Sequence, residues 1–337
     1  MPELDRYDRQ MLFKGIGEEG QRKLLAKRVL IVGCGALGSS VAEILARAGV
    51  GKLTIIDRDY VEWSNLQRQH LFTEEDARDQ LPKAAAASDH LTKINSCVEI
   101  EPVVMDATAE NLESYVQQAD LVIDATDNFD IRFILNDLCQ KNKKVWIFGA
   151  CVGSSGMTFT IIPEKTPCLD CLLKVTPMFG ATCDAVGIIS PAVQMVVAHQ
   201  TTEAMKLLIG ADEEVSSKLI IFDLWHHHYQ TIDVSRAKQP QCASCGATPD
   251  YPSLSYQNRT KTEILCGRDT VQIRGKKFSF SHLQQKLSSY HNVRENAFLL
   301  SVDIHDKRII FFKDGRTFIH GTKSIEEAKK LYYQIVG

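Results

Sequence analysis

The stretch RVLIVGCGALGSS, Arg28 to Ser40, constrains the fold more than any other part of the chain. An apolar strand, Val29 to Val32, runs into Gly33, Gly35 and Gly38 in the spacing G-x-G-x-x-G. Glycines let the backbone approach a phosphate, and the helix that follows presents free N–H groups and a positive dipole end. The pattern predicts a helix over 37–48, stopped by Gly49 and Gly51, and a second strand, LTIID, over 53–57. Such a β-α-β unit implies parallel strands joined by a right-handed crossover. Asp57 ends the second strand, where an acid commonly bonds ribose hydroxyls. Taken alone, the loop fits NAD, FAD or another nucleotide, and a merely tight turn as well.

Downstream, expected helices over 83–94, 109–118 and 129–142 alternate with strands over 98–104, 120–125 and 144–149. That alternation predicts the α/β class and a doubly wound, Rossmann-like sheet. Residues 8–27 read as a helical lead-in. Past Gly149, SSGMTFTIIP reads as a strand of a different, antiparallel region, and 166–187 as a long Gly-, Pro-, Thr- and Cys-rich excursion. Ser190 and Pro191 suit the start of a helix over 191–209, which Gly210 ends. A strand over 218–224 returns to the sheet, which is therefore mixed. The polar segment 235–256 marks a boundary, dividing the chain into residues 1–249 and a small α+β module, 250–337. In that module TVQI, KFSF, AFLLSV, RIIFF and TFIHG read as strands, 281–288 and 324–335 as helices, and Asp314-Gly315 as a hairpin turn.

Composition excludes more than it assigns. The 337 residues, 44% hydrophobic and 24% charged, are those of an ordinary globular protein. A net charge of −3 gives no general attraction to nucleic acid or an anionic membrane. The polar opening MPELDRYDRQ lacks the apolar core of a signal peptide, which predicts a cytoplasmic protein. The longest apolar stretch, 188–209, contains His199, Glu203 and Lys206, so a buried helix is expected rather than a membrane span.

The segment DRDYVEWSNLQRQ holds what a dehydrogenase would not need. Arg68 could clamp phosphates with its fork of donors, beside Asn65 and Gln69. Lys83 opens a helix, where the dipole disfavours a cation, so another gain should hold it there. Two cations near a triphosphate suit nucleotidyl transfer; a solvated loop arginine and a surface lysine are the plainer alternative. In DATDNFDIR, Asp127 falls at the carboxyl end of a parallel strand, where ligands bind and where a carboxylate is a natural Mg²⁺ ligand. Alternatively Thr126 or Asp127 only caps the next helix. Asp124 and Asp130 are weaker candidates.

Ten cysteines without a secretion signal speak against a disulfide framework. Cys168-Leu-Asp-Cys171 and Cys242-Ala-Ser-Cys245 give four thiolates for a closed, structural Zn²⁺ site. Cys183, in GATCDAVG, could attack an activated acyl group or be a small buried hydrophobe. His226, His227 and His228 point in different directions, so they are expected in an exposed or mixed setting. Gln194, His199 and Gln200 read as helix-face residues.

RYDRQ, GCGALG, IIDRDYVEWSNLQRQ, DATDNFDIR and the two CxxC pairs, in this order, closely resemble the ThiF/MoeB/HesA family, related to the adenylation domains of ubiquitin-activating enzymes. The resemblance covers roughly residues 5–248. It implies ATP and Mg²⁺ at the glycine loop and adenylylation of the C-terminal glycine of a ubiquitin-like sulfur carrier, which is then ready for sulfur transfer from a donor such as a cysteine desulfurase. By motif match, Gly33, Gly35 and Gly38 approach the phosphates and Asp57 binds the ribose. Asn65, Arg68, Gln69 and Lys83 surround the phosphates, Asp127 holds Mg²⁺, and Asn128 contacts the nucleotide beside it. Arg9 resembles an arginine donated across a homodimer interface to the γ-phosphate. The four CxxC cysteines match structural zinc ligands, and Cys183 the family cysteine that can link covalently to the carrier. The tail is similar to that of Bacillus-type ThiF proteins, which implies a ThiS-like carrier and thiamine thiazole synthesis before a MoaD-like molybdopterin carrier. The competing classes are an NAD-dependent oxidoreductase and a scaffold that binds a ubiquitin-like tail without chemistry.

Overall fold

The computed structural model describes residues 4–174, 187–255, 262–264, 269–275, 277, 279–287, 290 and 292–336. Among these, no helix is long and apolar enough to cross a membrane. The chain divides into two compact units, Met1–Ser255 and Tyr256–Gly337.

The first unit is built on β1 (Arg28–Val32), β2 (Lys52–Asp57), β3 (Glu99–Val104), β4 (Leu121–Asp124), β5 (Trp146–Val152), β6 (Ser155–Ile161), β7 (Lys218–Asp223) and β8 (His228–Asp233). They form one sheet in the order β3-β2-β1-β4-β5-β6-β7-β8. Strands β1 to β5 pair in parallel; β5 to β8 pair antiparallel. The helices are α1 (Asp8–Met11), α2 (Gly17–Leu25), α3 (Ala36–Ala48), α4 (Glu74–Arg78), α5 (Lys83–Ile94), α6 (Ala109–Gln118), α7 (Phe129–Lys141), α8 (Leu169–Leu173) and α9 (Ser190–Ile209). The two-residue period of β1 sorts its side chains into two cores. Val29 and Ile31 pack with residues of α3, α5 and α9; Leu30 and Val32 pack with residues of α6 and α7. Strand order reverses between β1 and β4, so their carboxyl ends open a crevice of the kind that takes ligands in such sheets.

Two expectations need correction. The lead-in over 8–27 is two helices, because Gly15 and Gly17 interrupt it and Gly17 has φ +59°. SSGMTFTIIP does not open a separate region: β6 pairs with β5 along its length and belongs to the same sheet. Near the end of the first compact unit, the turn Pro252–Leu254 is fastened to α7 by Ser253 N, which donates to Asp137 Oδ2 at 2.9 Å.

The second unit has β9 (Thr262–Ile264), β10 (Thr270–Arg274), β11 (Arg294–Glu295), β12 (Leu299–Ile304), β13 (Lys307–Phe312) and β14 (Arg316–His320), antiparallel in the order β11-β12-β13-β14-β10-β9. Asp314-Gly315 does turn β13 into β14, with Gly315 at φ +98°. Helices α10 (Phe280–Lys286) and α11 (Ile325–Val336) bury Phe280, Leu283, Ala328 and Tyr332 against Val271, Ile309, Phe311 and Ile319. Of KFSF, the described Lys277 and Ser279 lie outside any strand, and Phe280 opens α10 and is buried from the helix.

Candidate active site and cysteine cluster

The three loop glycines do different work. Gly33 has φ +94°, and a Cβ there would lie 2.5 Å from the Ala125 carbonyl oxygen. A Cβ on Gly38 would sit 1.9 Å from the Gly33 oxygen, so only glycine lets α3 pack this close to the loop. At Gly35 a Cβ would meet nothing nearer than Gln69 Nε2 at 3.8 Å. The chain itself leaves space at Gly35, and there the lack of a side chain serves an incoming group. No side chain caps α3, so the N–H groups of its first turn face that space.

Asp57 fastens the loop to the end of β2. Its Oδ2 accepts from Cys34 N at 2.6 Å and its Oδ1 from Asp59 N at 2.6 Å. Each oxygen keeps a second lone pair for a hydroxyl donor. Burial pushes this carboxyl above the usual carboxylate range, while the Lys83 ammonium pulls it down. Lys83 is 3% exposed, and its Nζ lies 3.2 Å from Asp59 Oδ2. Asp59 is the gain that holds a cation at a helix start. It is a site residue the sequence reasoning passed over, although a second acid two places after Asp57 was the available signal.

The next segment is more divided. Asn65 is buried, but its Oδ1 accepts from Glu62 N at 3.0 Å and builds the turn Trp63–Asn65. Arg68 is half-buried, and its Nη1 donates to the Ser64 carbonyl at 2.8 Å. Gln69 is buried, and its Oε1 has no hydrogen-bond partner among the described residues. A buried orphan acceptor beside the space at Gly35 fits a donor supplied from outside the chain.

The Gly33–Ala125 contact brings the β4–α7 loop to the same place. Asp127 is exposed on it. The helix cap is neither Thr126 nor Asp127 but Asn128, whose Oδ1 accepts from Asp130 N at 2.8 Å and Ile131 N at 3.4 Å. Beneath the loop lies a buried ion pair, Asp124 Oδ2 with Arg132 Nε at 3.0 Å. Burial raises the Asp124 carboxyl and Arg132 opposes that shift. Gln200, on α9, is fully buried, and its Nε2 donates to the Asp124 carbonyl at 2.9 Å.

The chain thus gathers Gly33, Gly35, Gly38, Asp57, Asn65, Gln69, Lys83 and the Asp127 loop around one crevice. It does not bring Arg9 there. Arg9 is exposed on α1, and the neighbouring Gln10 Nε2 donates to the Ala48 carbonyl at 2.9 Å, at the far end of α3. Twelve residues of helix rise separate that end from the glycine loop, about 18 Å. Cys183 lies outside the described residues.

Cys168, Cys171, Cys242 and Cys245 converge, all four Sγ atoms lying within 4.8 Å of one another. The Cys168–Cys242 and Cys171–Cys245 sulfur distances are both 3.6 Å. Four sulfurs around a tetrahedral Zn²⁺ at 2.3 Å stand about 3.8 Å apart. Backbone and acid partners orient the sulfurs: Gln239 N donates to Cys171 Sγ at 3.4 Å, and Cys242 Sγ donates to Asp170 Oδ2 at 3.3 Å. Cys168 holds Cys245 down to about 5 and is itself pushed far up. The cluster could hold a metal ion with no coordination position left open. The histidine run is exposed, and His226 Nδ1 lies 3.0 Å from Asp223 Oδ2.

Residues 7–244 match the ThiF family. The sulfur carrier protein ThiS adenylyltransferase of Bacillus subtilis (strain 168) is 48% identical over 336 residues, 98% of this chain and 99% of that protein. The molybdopterin-synthase adenylyltransferase of Escherichia coli (strain K12) is 36% identical over 72% of this chain and 97% of its own length. Among solved structures, E. coli MccB with ATP superposes with a TM-score of 0.63 at 24% identity, covering 72% of this chain and 74% of that one, a likeness of fold.

Proposed function

The chain belongs to the ThiF family, and on that premise we propose that it adenylylates the C-terminal glycine of a ThiS-like sulfur carrier protein, activating it for thiocarboxylate formation in thiazole synthesis. A carboxylate oxygen of that glycine attacks the α-phosphorus of ATP. The new P–O bond forms as the bond to the bridging oxygen of the β-phosphate breaks, giving carrier acyl-adenylate and pyrophosphate. The observation that carries the reading is 48% identity along nearly the whole chain, tail included. The molybdopterin-type relative aligns with only 72% of it, which ranks a MoaD-like carrier second.

The crevice supports each role. The open space at Gly35 and the uncapped start of α3 seat the phosphates. Asp57 takes the ribose, and Gln69 Oε1 accepts a donor from the nucleotide. Lys83 and Arg68 stabilise charge as pyrophosphate departs. Asn65 acts by shaping the turn that carries Arg68. Bound Mg²⁺ supplies charge neutralisation on the phosphates. The exposed Asp127 carboxylate, at the carboxyl end of a parallel strand, is the oxygen ligand that would hold it. Arg9 cannot reach its own crevice, so it serves the site of a second copy in a homodimer. The four cysteines would hold a structural Zn²⁺. The reaction belongs in the cytoplasm, where ATP and a sulfur donor such as a cysteine desulfurase are at hand.

The carrier is tested by offering ThiS-like and MoaD-like proteins separately and comparing pyrophosphate–ATP exchange. Faster exchange with the ThiS-like protein is expected; the reverse order would transfer the assignment to the molybdopterin carrier. For Cys183, intact mass after mixing with ATP and carrier should show a covalent adduct that Cys183→Ser loses; equal adducts in both would dismiss the role.

A further inference from the structure

We propose that Arg132 is a positioning residue for the Asp127 metal-binding loop, through its buried pair with Asp124. The proposal rests on the metal role given to Asp127 above. The geometry of residues 124–132 carries it. Thr126, the residue before Asp127, has its donors and its acceptor all engaged from below. Its N and Oγ1 donate to Asp124 Oδ1 at 3.0 and 2.8 Å. Its carbonyl accepts from Arg132 Nη2. The same guanidinium donates to Asp124 Oδ2 at 3.0 Å and to the Gly149 carbonyl on β5 at 3.2 Å. It also lies over the Phe129 and Phe148 rings, 5.1 and 5.3 Å from their centroids.

One arginine therefore ties together the end of β4, the loop, the first turn of α7 and β5. On the other side of Asp127, the Asn128 cap fixes the chain as it enters α7. Asp127 is left as the exposed residue between two pinned neighbours, with its carboxylate free of any hydrogen bond or ion pair among the described residues. A ligand carboxylate held by its backbone in this way loses little entropy on taking a cation. Asp124 and Arg132 cancel each other's charge, so the support adds no net charge beneath the metal. Lysine would keep that charge but, with one nitrogen where arginine has three, could not contact Asp124, Thr126 and Gly149 together.

The test is calorimetric titration of the full-length, zinc-replete protein with Mn²⁺ in the presence of a non-hydrolysable ATP analogue, alongside titration with the analogue alone. Arg132→Lys should bind the analogue alone as the native protein does and bind Mn²⁺ about tenfold more weakly. Phe129→Ala, which removes one stacking ring and leaves the buried charges paired, should weaken Mn²⁺ in the same direction by a smaller factor. It stands as the deciding variant if Arg132→Lys does not fold. Native Mn²⁺ affinity in folded Arg132→Lys, or in Phe129→Ala if that variant alone folds, overturns the proposal. Asp127→Ala separates the two readings. If it keeps native Mn²⁺ affinity, the metal role of Asp127 fails and the proposal with it. If it loses Mn²⁺ while Arg132→Lys keeps it, only the positioning role fails.

Discussion

Lys83 shows how residue-level physics sorts the site. A cation at a helix start is disfavoured by the dipole, yet this one is 3% exposed and paired to Asp59. The misfit was visible in the sequence, and so was a second acid two places after Asp57; that the two meet was not, because Asp59 lies in the loop after β2, far from Lys83 along the chain. Lys83→Met leaves Asp57 and Asp59 as half-buried carboxylates without their ammonium. Exchange should fall by about a hundredfold or more. The pH dependence has a definite sign. Burial already raises Asp57, and Lys83 opposes that shift. Without the lysine the folded-state pKa climbs further above the unfolded value, so folding takes up a proton and stability returns as pH falls. Thermal unfolding of Lys83→Met should therefore approach that of the native protein on going from about pH 8 to about pH 5. A deficit that widens over that range would contradict the account. Asp127→Ala should abolish exchange while leaving the melting temperature near native, since its exposed side chain supports nothing in the fold. Asn128 behaves oppositely. As the α7 cap, its change to alanine should cost about 1 kcal/mol of stability by denaturant titration. A larger loss of nucleotide affinity than of stability would support the nucleotide contact expected from its motif.

At the level of elements, the alternating strands and helices of residues 28–152 were legible because short continuous apolar runs, which β1, β4 and β5 bury on both faces, alternate with longer segments of helical period. The antiparallel half was less so. β6 follows β5 after a tight turn, and a change of composition looked like a change of region when it was only a change of strand direction. The pairing of Asp124 with Arg132 and the burial of Gln200 were not legible, because Arg132 and Gln200 reach backbone carbonyls of other elements that only the folded chain brings near. By contrast, the cysteine spacing pointed straight to a four-sulfur cluster that could hold a metal ion, since CxxC twice supplies a full tetrahedral set. That cluster joins α8 to the segment around Cys242 across a long stretch of chain. Metal analysis should find about one Zn per chain, and its removal by a chelator should lower the melting temperature. A metal-free protein that melts as the untreated one does would contradict a structural zinc.

For the whole molecule, the position of Arg9 matters most. Its neighbour Gln10 is bonded at the end of α3 remote from the chain's own crevice, and the resemblance carried by RYDRQ implies donation across a dimer interface. If a second copy receives it, Arg9→Ala and Asp127→Ala should each be inactive and should complement on mixing. A two-fold dimer leaves one intact site per mixed pair, so about a quarter of native activity is expected from random exchange. No recovery after verified subunit exchange would place Arg9 outside the reaction. The glycine loop itself admits NAD as readily as ATP. The match to the family separates them, and in the proposed site Lys83, Gln69 and Asp127 would do so by serving a triphosphate and its metal ion. The most direct measurement is pyrophosphate–ATP exchange with a ThiS-like carrier, run beside the same carrier lacking its C-terminal glycine. The account predicts exchange with the first and none with the second. Exchange that ignores the terminal glycine, or none with any such carrier, would contradict it.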